Sequence, residues 1–117
     1  MILGYLYRLG EGGVAQDHAT AVALCRLAAA QNYDQAQCNL GFMYDKGYGV
    51  AQDYAEALRL YKLAAAQGLG VALCNVGVSY EKGEGVAADR AEAIRWYKRS
   101  AAAGHINAAT ALMRLGA

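Results

Sequence analysis

The fold of this chain is decided by a stretch of sequence that occurs twice. Residues 36–50 read AQCNLGFMYDKGYGV, and residues 72–86, one period of 36 residues further on, read ALCNVGVSYEKGEGV. An earlier copy with one extra glycine covers residues 3–14, and a partial fourth copy begins at Ala108. Repeats with periods of about 20–50 residues are typical of arrays in which each unit packs on its neighbours. The sequence therefore predicts a linear array of similar units.

Small and aromatic residues recur at helical spacing within each unit. Ala57, Tyr61 and Ala65 lie at i, i+4 and i+8, and the pattern returns one period later, which predicts a helix with one buried face. Leu40 and Tyr44 are spaced in the same way in an earlier helix of the unit. The predicted helices span residues 1–9, 18–31, 34–46, 54–67, 70–82, 90–103 and 106–115.

Capping and turn residues separate these helices and predict that each unit is an antiparallel helical hairpin. An aspartate, followed in two units by a glutamate three residues later, is the predicted N-cap of the second helix. Glycine or asparagine is predicted to end that helix with a positive φ. Glycine inside the first helix costs about 1 kcal/mol against alanine, so its recurrence predicts a close approach of two helices. The predicted N-caps are Asp17, Asp53 and Asp89, and the residues predicted to end the second helices are Asn32, Gly68 and Gly104. The internal glycines of the first helices are Gly41 and Gly77. The valines predicted to close the hairpin ends are Val14, Val50 and Val86.

This pattern resembles the SEL-one-like repeat (SLR) family, a relative of the tetratricopeptide repeats. The matching residues of the second unit are Leu40-Gly41, Tyr44, Gly47, Gly49-Val50, Asp53, Ala57, Leu60-Tyr61, Ala64-Ala65 and Gly68. The resemblance implies an all-α fold, namely an α/α solenoid superhelix of antiparallel helical hairpins. A single array is expected to cover residues 1–117, with units at about 1–33, 34–69 and 70–105 and a partial unit at 106–117.

The resemblance also implies a function, which is that of a non-catalytic adaptor or scaffold. Such a module binds a peptide or partner protein in its concave groove. One alternative is a structural or engineered repeat array with no dedicated ligand. A less favoured alternative is the penicillin-binding or β-lactamase-like activity of a cysteine-rich branch of the family. That branch carries paired cysteines in each repeat, whereas Cys38 and Cys74 are single within their units and are interpreted as small packing residues.

The family comparison places the first helix of each unit on the concave side, so the candidate binding residues lie on that helix opposite its buried stripe. They are Gln35, Asn39, Phe42 and Lys46 in the second unit and Val71, Asn75, Val78 and Lys82 in the third. Asparagine offers donors and an acceptor to a peptide backbone, and lysine offers a positive charge to a carboxylate. The alternative for Asn39 and Asn75 is that they make hydrogen bonds within the array.

Composition and charge exclude several other classes of protein. The 117 residues are 56% apolar with a formal net charge of +1, which is too apolar for a disordered chain. There is no apolar run of about 18 residues and no clustered basic excess, so neither a membrane nor a nucleic acid is an expected partner. The absence of a signal peptide and the odd number of cysteines favour the cytoplasm by default.

Residues that could carry chemistry are isolated in the sequence. His18 and His105 have no second ligand type at helical spacing, and the glycine-rich turns lack the lysine of a phosphate loop. No catalytic residue, metal or cofactor is therefore predicted. The ends of the chain are apolar, and we expect end-to-end self-stacking through Met1-Ile2-Leu3 or through Leu112, Met113 and Leu115.

Overall fold

The computed structural model describes residues 15–117, and over this range it contains six helices and no strand. The helices are α1 (Ala15–Ala30), α2 (Asp34–Lys46), α3 (Tyr54–Ala66), α4 (Gly70–Lys82), α5 (Arg90–Ala102) and α6 (Ile106–Leu115). Each helix packs against the next one along the chain, and the molecule measures 42 × 24 × 23 Å. The all-α solenoid is thereby confirmed. The helix predicted over residues 1–9 and the role of Val14 lie outside the described residues.

The helices alternate between two kinds. We call α2, α4 and α6 the first helices and α1, α3 and α5 the second helices, so that α2–α3 and α4–α5 form complete hairpins. The two complete second helices begin at the predicted caps, because Asp53 Oδ1 accepts the backbone N–H of Glu56 at 3.1 Å and Asp89 Oδ1 accepts that of Glu92 at 3.1 Å. The helix ends are also confirmed, since the backbone turns to positive φ at Asn32, Gly68 and Gly104.

The start of α1 differs from the sequence prediction. The helix begins at Ala15 instead of residue 18, so Asp17 lies inside the helix and the predicted N-cap at that position is wrong. At the two confirmed caps, the aspartate N–H also donates to a tyrosine carbonyl of the preceding first helix at 2.8 Å. The corresponding tyrosine of the first unit, Tyr7, lies outside the described residues.

The internal glycines let an aromatic ring lie directly on the helix backbone. A Cβ atom at Gly41 would be 2.8 Å from Tyr61 Cε1, and one at Gly77 would be 2.7 Å from Tyr97 Cδ1. Both rings are almost fully buried, at 2% and 1% exposure. The close approach predicted from the sequence is confirmed, and its physical cause is the ring of the following second helix.

Loop glycines hold successive units together. A Cβ atom on Gly85 would come within 2.5 Å of the Tyr54 carbonyl oxygen, and one on Gly49 within 2.7 Å of that of His18. Each hairpin loop therefore rests on the first turn of the preceding second helix. Val50 and Val86 pack against the buried clusters beside these loops, as predicted.

The three cysteines, Cys25, Cys38 and Cys74, are buried and form no disulfide with one another, which agrees with their interpretation as packing residues. The buried clusters join neighbouring units, and the largest contains residues from α2, α3 and α4. No helix between residues 15 and 117 combines the length and the apolar character needed to cross a bilayer.

Candidate groove along the first helices

The first helices of the second and third units face each other across an open depression. We call it the α2/α4 cleft. Its volume is about 260 Å³, and α2 and α4 each contribute three lining residues. These are Phe42, Asp45 and Lys46 from α2 and Asn75, Val78 and Lys82 from α4. The lining is completed by Gln52, by Tyr54 and Tyr61 of α3, and by Glu84 from the loop after α4.

A second depression lies one repeat further along the array. We call it the α4/α6 cleft. It has a volume of about 440 Å³ and is lined by Val71, Asn75 and Val78 of α4, by Asn107 and Arg114 of α6, and by Tyr97 of α5. Asn75 and Val78 line both clefts, so the two depressions adjoin each other along α4.

Six of the eight candidate binding residues line these clefts. Phe42, Lys46, Asn75, Val78 and Lys82 lie together in the α2/α4 cleft, and Val71 joins Asn75 and Val78 in the α4/α6 cleft. Gln35 and Asn39 line neither of them.

Asn39 and Asn75 occupy the same repeat position but have different surroundings. Asn39 is only 6% exposed, and its Oδ1 accepts a hydrogen bond from Gln35 Nε2 at 3.2 Å. One period later Val71 replaces Gln35 and has no donor, and Asn75 remains half-buried with its Nδ2 3.7 Å from Cys38 Sγ. Both asparagines therefore make a hydrogen bond within the array, Asn39 as acceptor from Gln35 and Asn75 as donor to Cys38 Sγ, but only Asn75 also lines the two clefts.

An acidic residue at the end of each complete first helix accepts a hydrogen bond from the buried tyrosine. The Tyr61 hydroxyl donates to Asp45 Oδ2 at 3.3 Å, and the Tyr97 hydroxyl donates to Glu81 Oε1 at 2.7 Å. Burial, together with the neighbouring carboxylates, raises the pKa of both tyrosines above the ordinary value of 10.0, so both remain protonated donors well into the alkaline range.

Glu81 has a further partner that Asp45 lacks. The Arg114 guanidinium donates to both carboxylate oxygens of Glu81, at 2.7 and 2.9 Å, in a bidentate ion pair. The hydrogen bonds from Arg114 and Tyr97 lower the pKa of the Glu81 carboxyl to about 2, against the opposing effect of burial.

The sequence analysis missed part of this groove. It overlooked Asp45 and Glu84 of the α2/α4 cleft, and Asn107 and Arg114 of the α4/α6 cleft. The signal was present, because Asn107 and Arg114 follow Val71 and Val78 by one repeat period. Asp45 and Glu81 are likewise an acidic pair one period apart.

The other residues considered for chemistry or charge have structural partners. Burial raises the pKa of the Cys74 thiol, which disfavours the thiolate that a nucleophile requires. Within residues 18–117, no three His, Cys, Asp or Glu side chains lie close enough together to hold a metal ion. Most of the C-terminal basic residues are engaged: Arg95 pairs with Glu92, Arg99 stacks on Trp96, and Arg90 donates to the Leu115 carbonyl.

Stacked helical hairpins with a groove along successive first helices define an α/α solenoid repeat protein. The Sel1 repeat family model matches residues 1–33, 34–69 and 70–105, and the chain belongs to the Sel1-repeat family. Proteins of this family are generally interaction modules built as helical repeats, and they are typically non-catalytic scaffolds.

Two solved structures are similar to this chain. One is a protective antigen present in uropathogenic Escherichia coli strains that displays an SLR fold, with 41% identity and a TM-score of 0.83 over 92% of this chain and 23% of that one. The other is a Sel1 repeat protein from Oxalobacter formigenes, with 39% identity and a TM-score of 0.80 over 90% of this chain and 42% of that one. This chain therefore spans less than half the length of either protein. No curated protein matches it.

Proposed function

We propose that this chain is a protein-interaction module that holds a peptide, or a segment of a partner protein, along the two clefts. The observation that supports this most directly is that the adjoining clefts are lined by three successive first helices and share Asn75 and Val78. A bound segment that follows the clefts contacts several units at once, which is how solenoid proteins use their extended surfaces.

The lining of the groove suits a peptide. Phe42 and Val78 supply half-buried apolar walls for side chains of the ligand. The Asn75 amide donates one N–H to Cys38 Sγ and supplies its other N–H and its carbonyl oxygen for a peptide bond. Lys46 and Lys82 are exposed at the edge of the α2/α4 cleft and offer positive charges to acidic groups.

The test is a selection of random peptides displayed on phage against the purified chain. Peptides enriched on the native chain are then measured against Phe42→Ala and Asn75→Ala. We expect Phe42→Ala to weaken binding roughly tenfold, because a half-buried aromatic residue in a cleft is a common hot spot. Asn75→Ala is expected to have a smaller effect of the same sign.

Two variants outside the clefts serve as controls. Leu63→Ala removes an exposed leucine from α3, and Lys98→Glu reverses an exposed charge on α5. Both are expected to bind the selected peptides as the native chain does, and circular dichroism checks that all four variants are folded. Equal binding by Phe42→Ala, Asn75→Ala and the controls would place the peptides elsewhere. A selection that enriches no peptide would favour the structural array without a ligand.

A further inference from the structure

The two clefts provide an internal comparison, because they are built from the same repeat positions. Phe42, Tyr61 and Val78 of the α2/α4 cleft correspond, one period later, to Val78, Tyr97 and Arg114 of the α4/α6 cleft. Beside each cleft, a tyrosine hydroxyl donates to an acidic side chain at the end of the first helix; Asp45 lines the α2/α4 cleft, whereas Glu81 lies behind Arg114 and does not line the α4/α6 cleft. One difference between the two clefts is the residue opposite this acid.

In the α4/α6 cleft, the acid is covered from within the chain. Arg114 extends from α6 and its guanidinium makes the bidentate pair with Glu81 on α4. Arg114 lines the cleft together with Tyr97. The arginine thus occupies the space in front of the carboxylate.

In the α2/α4 cleft, the same position carries Val78, whose side chain is short and uncharged. Asp45 lines the cleft and is half-buried, and among residues 18–117 no cationic nitrogen lies within 4 Å of its carboxylate. The two lysines that also line the cleft, Lys46 and Lys82, are exposed, and neither forms an ion pair with Asp45. The Lys46 ammonium lies 5.8 Å from the centre of the Phe42 ring, and Lys82 is exposed.

We propose that the α2/α4 cleft receives the guanidinium of an arginine side chain from the bound peptide, which pairs with Asp45 as Arg114 pairs with Glu81. This inference rests on the proposed peptide-binding function and specifies its ligand. The Tyr61 hydroxyl orients the carboxylate, and Glu84 adds a second negative charge to the same cleft. Phe42 and Val78 flank the aliphatic stem of the incoming side chain. The planar guanidinium matches two carboxylate oxygens, which the ammonium of lysine does not.

The direct test uses carbon-13 NMR of the Asp45 carboxyl group. The probes are two tripeptides with blocked ends, acetyl-Ala-Arg-Ala-amide and the same peptide with citrulline, which has the shape of arginine but no charge. We expect the arginine tripeptide to shift the Asp45 resonance and to bind roughly fivefold more tightly than the citrulline tripeptide, as for a partly exposed ion pair. In Asp45→Asn the two tripeptides are expected to bind equally.

Exchanging the two differing residues provides matched controls. Val78→Arg places an arginine opposite Asp45, and the Asp45 resonance should then no longer respond to the arginine tripeptide. Arg114→Val uncovers Glu81, whose carboxyl resonance should begin to respond. If Asp45 does not respond in the native chain, or responds equally to citrulline, the inference is wrong.

This result can be separated from the outcome of the phage selection. Selected peptides that bind Asp45→Asn as well as the native chain would overturn the guanidinium site and leave the peptide-binding function intact. A failed selection together with a positive arginine response would overturn the function and leave the guanidinium site.

Discussion

The α2/α4 cleft and the α4/α6 cleft lie over equivalent buried tyrosines but have different walls. In each, a buried tyrosine lies on an internal glycine and donates its hydroxyl to an acid, Asp45 in the first and Glu81 in the second. The walls differ because the repeat position occupied by Val78 in the α2/α4 cleft is occupied by Arg114 in the α4/α6 cleft. The residues that build the repeat recur, whereas some residues that face the groove, such as Val78 and Arg114, differ between units.

The largest expected effect tests whether the buried tyrosines beneath the two clefts contribute equally to stability. Tyr61→Ala and Tyr97→Ala each remove a ring that is almost completely buried, and each should lower the free energy of unfolding by about 3–5 kcal/mol. Urea unfolding followed by circular dichroism measures both losses. Tyr33→Ala is the control, because Tyr33 is 56% exposed and its replacement should change stability by less than about 0.5 kcal/mol. A loss of stability below about 1 kcal/mol at either tyrosine would show that Tyr61 and Tyr97 do not have equivalent structural roles.

A smaller effect is expected at the glycines beneath these rings. Gly41→Ala and Gly77→Ala introduce a methyl group less than 3 Å from a tyrosine ring. Overpacking of this kind costs about 1–3 kcal/mol, while the gain in helix propensity is about 1 kcal/mol. We therefore expect both variants to be destabilised by up to about 2 kcal/mol in urea unfolding.

Gly70→Ala is the matched control for the glycine variants. Gly70 is also helical, but a Cβ atom there would meet its nearest neighbour, His105 Cβ, at 3.4 Å, which is an ordinary contact. This variant should be as stable as the native chain or slightly more stable. If Gly77→Ala behaves like Gly70→Ala, the contact of the tyrosine ring with the helix backbone does not explain the internal glycine.

The part of this structure that the sequence predicts is the part encoded within one unit. The caps at Asp53 and Asp89 depend on residues three positions away, and the internal glycines recur with the period. These features lie within one unit and recur from unit to unit, so the repeated pattern is enough to recognise them. The Sel1-type hairpin follows from them.

The groove was harder to predict because its details depend on contacts between units and along one helix. The pair between Glu81 and Arg114 joins α4 to a helix that departs from the repeat. Asn39 is withdrawn from the groove by Gln35, a residue that the next unit replaces with Val71. Repeat position alone would make Asn39 and Asn75 equivalent. Self-stacking through the chain ends stays a prediction; Met113 is exposed on α6, and Met1-Ile2-Leu3 lies outside the described residues.

The smallest expected effect concerns the two acids. Glu81 accepts hydrogen bonds from Tyr97 and Arg114, and its folded-state pKa of about 2 lies below the ordinary value of 4.5. Its contribution to stability is therefore present above pH 4.5 and is lost as the pH falls towards 2. Because Arg114 is exposed and screened by solvent, we expect Glu81→Gln to cost only about 1 kcal/mol at pH 7. In both variants the new amide oxygen still accepts from the tyrosine, but Asp45→Asn should cost less because, among residues 18–117, Asp45 has no ion pair to lose.

Urea unfolding of the native chain and both variants between pH 2 and pH 7 measures this difference between the acids. The gap in stability between the native chain and Glu81→Gln should close as the pH falls through the range from 4.5 to 2, because protonation removes the charge that Arg114 and Tyr97 stabilise. Raising the ionic strength at pH 7 should narrow the same gap, since salt screens an exposed ion pair. A gap that stays constant from pH 7 to pH 2 would show that the Glu81 charge contributes no stability. Glu81 and Asp45 would then differ only in the shape of their surroundings.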